Sequence, residues 1–515
     1  MPSDDPQIRL SVTLSGGASL GAYHAGVLAG LVTAVQALSA REPDRVRVDA
    51  IGGASAGALA AMFGAHALLN GLDAVDLLYE AWVERVTFDL LQERGARAPL
   101  GFGQLRRRLP RDLAVEHWRR VEAGPQRTPL GLHVSLTGLR GLRYDLRTAD
   151  GRVLPAITYA DWGEFTLQPD GGVAQLQTPE GASVIDFVLA SAANPGAFAP
   201  QLLDRSHDRD AFAARSIERL PAGGRLWYTD GSSISSEPLG RVLALAGTGG
   251  RDRDDAAYVH VMIDPLSEIP AADTAWTADA EAPSWLSSVA RTLEIMPEQV
   301  LHDDLRRVQH VNHRFDRLDH FVAALAPHLD GEATAALRAL LDGDDHDGAA
   351  RDGAGSDDHD GAGGDGGGAA HTLLRRAAAR VAGLDGKVPV HLDLISPLVL
   401  ADKLDRDVPG MLAGEVMGDF GGFIHRRLRR SDFALGYDCL LAWLPDALAA
   451  LRLAPATADA VVAEVRAARR AEWSQVDEGR TTLRDLPRGS QLALLRLGLH
   501  TARVIAASAW RALRG

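Results

Sequence analysis

The stretch from Ile51 to Ala58, Ile-Gly-Gly-Ala-Ser-Ala-Gly-Ala, is the feature that most constrains the fold. It contains Gly53-x-Ser55-x-Gly57, in which a serine stands between two glycines at the spacing of a nucleophile elbow. Residues that alternate between polar and apolar precede this motif, and residues that favour helices follow it. A strand that turns directly into a helix needs unusual backbone angles, and residues without a Cβ tolerate them. We therefore predict a strand, a tight turn and a helix, with Ser55 at the positive end of that helix.

A second unit of the same kind lies just upstream. Ile8, Leu10, Val12 and Leu14 alternate as in a strand, a glycine-rich loop follows, and a helical pattern runs from Leu20 to Leu38. Two strand-loop-helix units in succession predict a parallel sheet with helices on its faces and ligands at the carboxyl ends of its strands.

The loop of this upstream unit contains Gly16, Gly17 and Ala18. It lacks the Lys-Ser/Thr of a Walker loop and the Gly-x-Gly-x-x-Gly of a dinucleotide site. Its backbone N–H groups, at the start of a helix, favour a negative oxygen. We predict that these three residues form the oxyanion hole that a hydrolase acting through Ser55 needs.

Composition excludes several classes of function. Cys439 is the only cysteine, so an internal disulfide and a cysteine-based zinc site are excluded, and we predict neither a metal nor a cofactor. The formal net charge of -14 argues against general nucleic-acid binding. The N-terminus, MPSDDPQIRL, has acids where a signal peptide has basic residues, and we expect a cytoplasmic protein.

A base for Ser55 is predicted further along the chain. Leu226 to Thr229 reads as a strand that ends in Asp230-Gly231, and Asp264, after the strand pattern of Tyr258 to Ile263, is the second choice of carboxylate. A Ser-His-Asp triad is the alternative. It would be completed by one of three histidines, His260, His302 or His310.

These motifs resemble those of the patatin-like phospholipase family. Its oxyanion loop is Gly-Gly-Gly-x-Arg/Lys-Gly, its elbow is Gly-x-Ser-x-Gly and its base lies in Asp-Gly-Gly or Asp-Gly-Ala. The segment from Val184 to Ala199 resembles the family's Ala-Ser-x-Ala-x-Pro segment. Three residues depart from the family pattern. In the oxyanion loop, Ala18 replaces the third glycine and Leu20 replaces the basic residue. In the base motif, Ser232 replaces the second glycine, which would follow Asp230-Gly231.

The resemblance implies an α/β fold with three layers, a mainly parallel central sheet and helices on both faces, followed by a mostly helical C-terminal region. It implies a serine acyl hydrolase that cleaves lipid carboxylic esters, of phospholipase A or lysophospholipase type, through a Ser55–Asp230 dyad. The alternatives are a non-catalytic lipid-binding or scaffold protein and a Ser-His-Asp esterase. The length of the acyl chain, the head group of the lipid and the oligomeric state of the protein are left open.

Pattern and composition divide the chain into four regions. We predict a catalytic domain over 1–265, a mostly helical segment over 266–341, a flexible acidic insertion over 342–371 and a mainly helical region over 372–515, which resembles the extension of a bacterial branch of the family. The arginine-rich segment Gly101–Val121 and the amphipathic stretch Ser490–Gly515 are expected to be a solvated helix face and a helix packed on its own domain. Peripheral contact with a membrane is the alternative for both.

Overall fold

The computed structural model describes residues 7–504, apart from 93–97, 148–149, 178–180, 218–219, 222, 247–255, 267–284, 349–365, 385–387, 405–410, 415–418, 474–486, 488–489, 492–493 and 496–497. The chain divides into two compact units. The first consists of Met1–Gly247, Asp255–His302 and His391–Gly515, and the second of Thr248–Asp254 and Asp303–Val390. The boundaries predicted at 265, 341 and 371 differ from this division and stay predictions.

Eight strands are described: β1 Gln7–Leu14, β2 Val46–Gly53, β3 Leu130–Arg147, β4 Val153–Leu167, β5 Gln201–Asp204, β6 Arg225–Thr229, β7 Ala256–Ile263 and β8 His391–Ile395. The described α-helices are α1 Gly21–Arg41, α2 Ala56–Leu69, α3 Ala74–Tyr79, α4 Phe88–Leu91, α5 Gly103–Asp112, α6 Val184–Ser191, α7 Arg209–Ala214, α8 Leu239–Leu245, α9 Trp285–Leu325, α10 Gly331–Gly348, α11 Gly366–Val381, α12 Ala401–Leu404, α13 Arg426–Ala450 and α14 Pro455–Ala468. The first two strand-loop-helix units therefore form where the sequence patterns predict them.

The strands form one mixed sheet in the order β5-β6-β3-β2-β1-β7-β8, and β4 pairs with β3 outside this path. The pairs β1–β2, β1–β7, β2–β3 and β7–β8 are parallel. The pairs β3–β4, β3–β6 and β5–β6 are antiparallel. The predicted α/β fold with a mainly parallel sheet is thus confirmed, while the long β3–β4 hairpin extends far beyond the short strand that the sequence indicates at Leu132–Leu136.

Two neighbouring residues at the end of β2 show that helices cover both faces of the sheet. A Cβ on Gly64 of α2 would lie 3.7 Å from Ile51 Cδ1, so Ile51 faces α2. A Cβ on Gly52 would lie 2.7 Å from Val242 Cγ2 of α8. Because successive residues of a strand point to opposite faces, α2 and α8 lie on opposite sides of the sheet.

Helix α13 packs closely against α1 through glycines. A Cβ on Gly26 would lie 2.0 Å from Phe433 O, and a Cβ on Gly436 would lie 2.2 Å from Tyr23 O. By length and hydropathy alone, α13 and the segment Ala18–Arg41 that contains α1 could each cross a membrane. In the structure they contribute to one hydrophobic core, which accounts for their apolar composition.

The second compact unit has a small core of its own, formed by Phe315, Leu318, Val322, Leu374 and Leu384. The acidic insertion was predicted to be flexible from residue 342 to 371. Helix α10 continues to Gly348 and α11 begins at Gly366, while 349–365 lies outside the described residues. The flexibility of the insertion stays a prediction.

The two segments considered for membrane contact are partly described. In Gly101–Val121, helix α5 buries Leu105 and Leu109, and three arginines form ion pairs: Arg106 with Asp186, Arg119 with Asp73 and Arg120 with Asp170. In Ser490–Gly515, the described residues up to Val504 are helical and 505–515 lies outside the description. Their roles at a membrane stay predictions.

Candidate active site

Ser55 occupies a strained turn between β2 and α2. Its backbone angles are φ 52° and ψ -124°, a region that non-glycine residues rarely adopt. The Ser55 N–H donates a hydrogen bond to Ser191 Oγ over 2.9 Å. A Cβ on Gly53 would lie 2.6 Å from Leu14 O, and a Cβ on Gly57 would lie 2.3 Å from Ser15 O. Both elbow glycines are therefore required by the close approach of the end of β1.

The structure brings Ser55 and Asp230 together. Ser55 Oγ donates a hydrogen bond to Asp230 Oδ2 over 2.9 Å. The other carboxylate oxygen, Oδ1, accepts from the N–H of Ser232 at 2.9 Å and from its hydroxyl at 2.7 Å. Both side chains are buried, Ser55 at 4% and Asp230 at 1% exposure. The Ser55 hydroxyl proton thus has Asp230 Oδ2 as its acceptor, and Ser232 holds the carboxylate in place through the other oxygen. A nucleophilic serine with a neighbouring base has this arrangement.

Burial raises the pKa of Asp230 above its ordinary value, although the hydrogen bonds from Ser232 and Ser55 lower it in part. Desolvation disfavours the charged carboxylate and so increases its affinity for a proton. A carboxylate with a raised pKa is a stronger general base than an exposed aspartate.

Strand β6, which ends just before Asp230, is fixed by a buried ionic cluster around Asp161 of β4. Tyr228 donates to Asp161 Oδ2 over 2.6 Å, and Arg205 and Arg215 form ion pairs with Asp161 at 2.8 Å each. Tyr228 lies on β6, two residues before Asp230, which directly follows the strand. The turn itself has no space for a side chain at Gly231, where a Cβ would lie 2.1 Å from Ser135 O.

The predicted oxyanion loop lies next to this pair. A Cβ on Gly16 would lie 2.7 Å from Ser232 Cβ, so the loop contacts the residue that holds Asp230. The Gly16 N–H donates to Ser236 Oγ over 3.2 Å. Among the described residues we find no acceptor for the N–H groups of Gly17 and Ala18, which leaves these two as the candidate donors. Both are partly exposed.

The residue after these donors, Ser19, is held by the C-terminal part of the chain. Its N–H donates to Asp419 O over 2.8 Å, its hydroxyl donates to the same carbonyl oxygen, and Gly422 N–H donates to Ser19 Oγ over 2.9 Å. Leu20 is buried, and a Cβ on Gly414 would lie 3.1 Å from Leu20 Cδ2. The described residues from Met411 to Phe423, which we call the C-terminal strap, thus contact the end of the loop at Ser19 and Leu20.

Asp264, the second choice of carboxylate, is half-buried at the other end of the loop. It accepts a hydrogen bond from Ser15 Oγ at 3.2 Å, and the same hydroxyl lies 3.2 Å from His24 Nε2. Burial raises the pKa of Asp264 to about 6. Asp264 therefore accepts a hydrogen bond from Ser15, the residue before Gly16, whereas Asp230 accepts the one from Ser55.

The three histidines considered for a triad lie elsewhere or are not described. His260 is buried in β7, with Nδ1 2.8 Å from Ser11 Oγ, and burial lowers its pKa to about 3. His310 is exposed on α9, and the side chain of His302 lies outside the description. Among the described residues, no histidine ring is hydrogen-bonded to Ser55 or Asp230, and no group of three or more His, Cys, Asp or Glu side chains could hold a metal ion.

An apolar pocket of about 20 Å³ lies beside α2. Leu59 and Phe63, which line it, follow Ser55 by one and two turns of the helix and so lie on the same side of it. Other lining residues include Trp82, Val86, Leu90, Leu105, Leu109 and Trp118, and ion pairs of Arg85 with Glu80 and Asp112 lie at its edge.

Sequence reasoning did not assign a role to four serines around the site. Ser191 accepts from the Ser55 N–H, Ser232 donates to Asp230, Ser236 accepts from Gly16, and Ser19 is bound by the strap. Two of them had a signal: Ser191 lies in the segment that resembles the family's Ala-Ser-x-Ala-x-Pro, and Ser232 directly follows the Asp230-Gly231 motif. Ser19 and Ser236 had none, because their partners lie more than two hundred residues away in the sequence.

Comparisons with known proteins agree with the motifs. Residues 12–243 match the family model described as patatin-like phospholipase. No curated protein matches the sequence. The crystal structure of VipD from Legionella pneumophila is similar at 13% identity over 94% of each chain, with a TM-score of 0.18, a value too low to support a conclusion about the fold. On the match over 12–243, this chain contains a patatin-like phospholipase domain.

Proposed function

We propose that the protein is a serine acyl hydrolase that cleaves carboxylic esters of lipids through Ser55 and Asp230. Members of the patatin-like phospholipase family are generally lipid acyl hydrolases. The observation that carries the proposal for this chain is the 2.9 Å hydrogen bond from Ser55 Oγ to Asp230 Oδ2, made by a serine in a strained elbow at a helix N-terminus.

In the acylation step, Ser55 Oγ attacks the ester carbonyl carbon and its proton passes to Asp230 Oδ2. The carbonyl oxygen becomes an oxyanion, which the N–H groups of Gly17 and Ala18 stabilise. Ser232 keeps the carboxylate oriented towards Ser55 through its two hydrogen bonds to Oδ1. The tetrahedral intermediate then collapses: the bond from carbon to the alcohol oxygen breaks, and Asp230 returns the proton to the leaving alcohol.

In the deacylation step, a water molecule attacks the acyl group on Ser55. Asp230 accepts the proton of this water, and the same two N–H groups stabilise the second oxyanion. When the bond between the acyl carbon and Ser55 Oγ breaks, the proton passes from Asp230 to Ser55 and the fatty acid leaves. The carboxylate and the serine hydroxyl are thereby restored, so the cycle needs neither a histidine nor a metal.

A phospholipid or lysophospholipid is the substrate class that we propose. The family supports a lipid ester, and the arginines of Gly101–Val121 favour an anionic head group.

The experiment compares ester hydrolysis by matched variants. Asp230→Asn keeps the size of the side chain but removes the base, and we expect kcat to fall by about 10²- to 10⁴-fold. Asp264→Asn makes the same chemical change in the neighbouring half-buried carboxylate and should retain most of the activity. Ser55→Ala should abolish turnover, whereas Ser206→Ala, a serine outside the site, should not change it.

Two outcomes would contradict the proposal. Full activity in Asp230→Asn together with loss in a single histidine variant would favour a Ser-His-Asp esterase. A folded wild-type protein that hydrolyses no ester and does not react with a fluorophosphonate would favour a non-catalytic lipid-binding or scaffold role.

A further inference from the structure

The β3–β4 hairpin exposes apolar side chains where a strand normally presents polar ones. Val153, Ile157 and Tyr159 of β4 are exposed by 48%, 61% and 49%. They occupy alternate positions, with Pro155 between them, and so share one face of the strand. A Cβ on Gly141 of β3 would lie 2.7 Å from Ile157 Cγ2 and 3.1 Å from Tyr159 Cε1, so these two side chains lie across the neighbouring strand.

Exposed apolar residues are concentrated in this part of the molecule. Thirteen large apolar side chains are exposed among the described residues, and seven of them belong to the hairpin and the adjoining strand β6: Leu139, Leu146, Val153, Leu154, Ile157, Tyr159 and Trp227. We call this set the hairpin surface. Leu139 follows Gly138 in β3, and Trp227 precedes Tyr228 in β6. Because Gly138 pairs with Tyr228, β6 adjoins the hairpin. Leu146 pairs with Leu154 on the face opposite Val153, Ile157 and Tyr159, so the hairpin exposes apolar side chains on both faces. Singly scattered exposed apolar residues are ordinary, but such a concentration in one part of the molecule marks an interaction site.

The hairpin surface projects from the edge of the sheet that carries the candidate site. Gly53, two residues before Ser55, pairs with Val134 of the parallel strand β3. From Val134 the strand continues past this edge to Arg147. Leu139 is five residues further on, or ~16 Å of extended chain, and Thr137 pairs with Thr229, the residue before Asp230. The near end of the hairpin surface, at Leu139 and Trp227, therefore lies next to the site.

The charge of the hairpin favours an anionic lipid surface over a second copy of the chain as its partner. Between Leu139 and Tyr159 there are four arginines and two aspartates, a balance of 4 - 2 = +2 in a chain of formal net charge -14. Arg140 and Arg143 are exposed. A two-fold dimer through this surface would bring the same arginines together, which is unfavourable. An anionic bilayer attracts them, and it accepts Trp and Tyr at its interface.

We propose that the hairpin surface inserts into the interfacial layer of anionic lipid membranes and places the candidate site at the membrane. The proposal takes the lipid nature of the partner from the proposed function and extends it. It assigns the contact to β3, β4 and β6, a region distinct from both the arginine-rich segment Gly101–Val121 and the C-terminal stretch Ser490–Gly515.

The test measures co-sedimentation with vesicles made of phosphatidylcholine and phosphatidylglycerol in equal parts. All proteins carry Ser55→Ala, so binding is measured without turnover and independently of the proposed function. The hairpin variant adds Ile157→Ser and Tyr159→Ser, and its thermal unfolding temperature should equal that of the parent because both side chains are exposed. Val399→Ser and Leu499→Ser, at residues of 55% and 54% exposure elsewhere, are the matched controls.

We expect the parent to bind these vesicles, and the hairpin variant to bind about tenfold or more weakly, since it loses the burial of two large side chains. Arg140→Gln should weaken binding about fivefold, as expected for one arginine near an anionic surface. The two controls should bind as the parent does.

Four results would overturn the proposal: a parent that does not bind, a hairpin variant that binds as the parent does, a loss of binding in Leu499→Ser with none in the hairpin variant, or a change from dimer to monomer in the hairpin variant with vesicle binding unchanged. Failure of the proposed function is recognised separately. It would appear as a wild-type protein that does not react with a fluorophosphonate, whatever the vesicle result.

Discussion

The three residues that depart from the family's motifs each have a local physical explanation. Ala18 has φ 41°, the left-handed region in which glycine is favoured, so the alanine is tolerated at a cost of about 1 kcal/mol. Leu20 is buried under the C-terminal strap, where a charged side chain would lose its hydration. Ser232 gives Asp230 two hydrogen bonds. None of the departures disturbs the contact between Ser55 and Asp230.

At the scale of single residues, the raised pKa of Asp230 predicts the acid side of the pH profile. The base must be a carboxylate to accept the Ser55 proton, so kcat/KM for a soluble ester should fall as pH decreases through the pKa of Asp230. Because burial raises this pKa, the midpoint should lie above the value of about 3.9 for an exposed aspartate.

Asp264 provides the control for this profile, because burial raises its pKa too, in its case to about 6. If Asp230 is the base, the acid limb should persist in Asp264→Asn. If the acid limb disappears in that variant, the titration belongs to Asp264. If activity stays constant at pH values below the ordinary pKa range of aspartate, the argument for a carboxylate base is removed.

At the scale of elements, the site depends on contacts between segments that are far apart in the chain. Ser19, which follows the candidate oxyanion donors, bonds to Asp419 and Gly422 some four hundred residues away. The strap also bonds to α13, since Arg429 donates to Gly422 O over 2.8 Å. The conformation of the oxyanion loop is thus supported by the C-terminal part of the chain.

Replacing Ser19 by Ala should therefore affect catalysis as well as stability. The change leaves the buried Gly422 N–H without its acceptor, which costs about 1 to 3 kcal/mol. If the strap positions the Gly17 and Ala18 donors, kcat should fall while KM changes little, because these donors act on the transition state. Urea unfolding and steady-state kinetics measure the two effects.

Ser431→Ala, another buried serine of the same region, is the control for a purely structural effect. It should leave kcat unchanged. An Ser19→Ala protein that is less stable but retains the wild-type kcat would show that the strap only stabilises the fold.

At the scale of the whole molecule, the first compact unit combines both ends of the chain. It contains β8 and α13 together with the predicted catalytic domain, and α13 lies against the glycines of α1. A fragment of residues 1–265 would expose the buried face of α1 and the edge of β7 that pairs with β8. Exposed apolar area of this kind destabilises the folded state.

We accordingly expect residues 1–265 expressed alone to lack a cooperative unfolding transition, and co-expression with residues 372–515 to restore one. Circular dichroism during heating measures this. A fragment that melts cooperatively at the temperature of the full chain would show that the predicted catalytic domain folds independently.

The sequence predicts the parts of this structure that local pattern determines. Alternation and glycine spacing were enough for β1, β2, the elbow at Ser55 and the turn at Asp230, because each depends on neighbours within a few residues. The β3–β4 hairpin was largely missed, since its apolar residues face outwards and arginines interrupt its pattern. The roles of Ser19 and Ser236 depend on contacts across more than two hundred residues, for which one sequence gives no signal.

The central claim is that Ser55 is an activated nucleophile, and covalent labelling tests it most directly. Wild-type protein is treated with a fluorophosphonate, digested and examined by mass spectrometry, with Ser55→Ala and Asp230→Asn treated in parallel. We predict one adduct, on the peptide that contains Ser55, which is absent in Ser55→Ala and forms far more slowly in Asp230→Asn. An unlabelled wild-type protein that is folded, or an adduct on a different serine, would contradict this account.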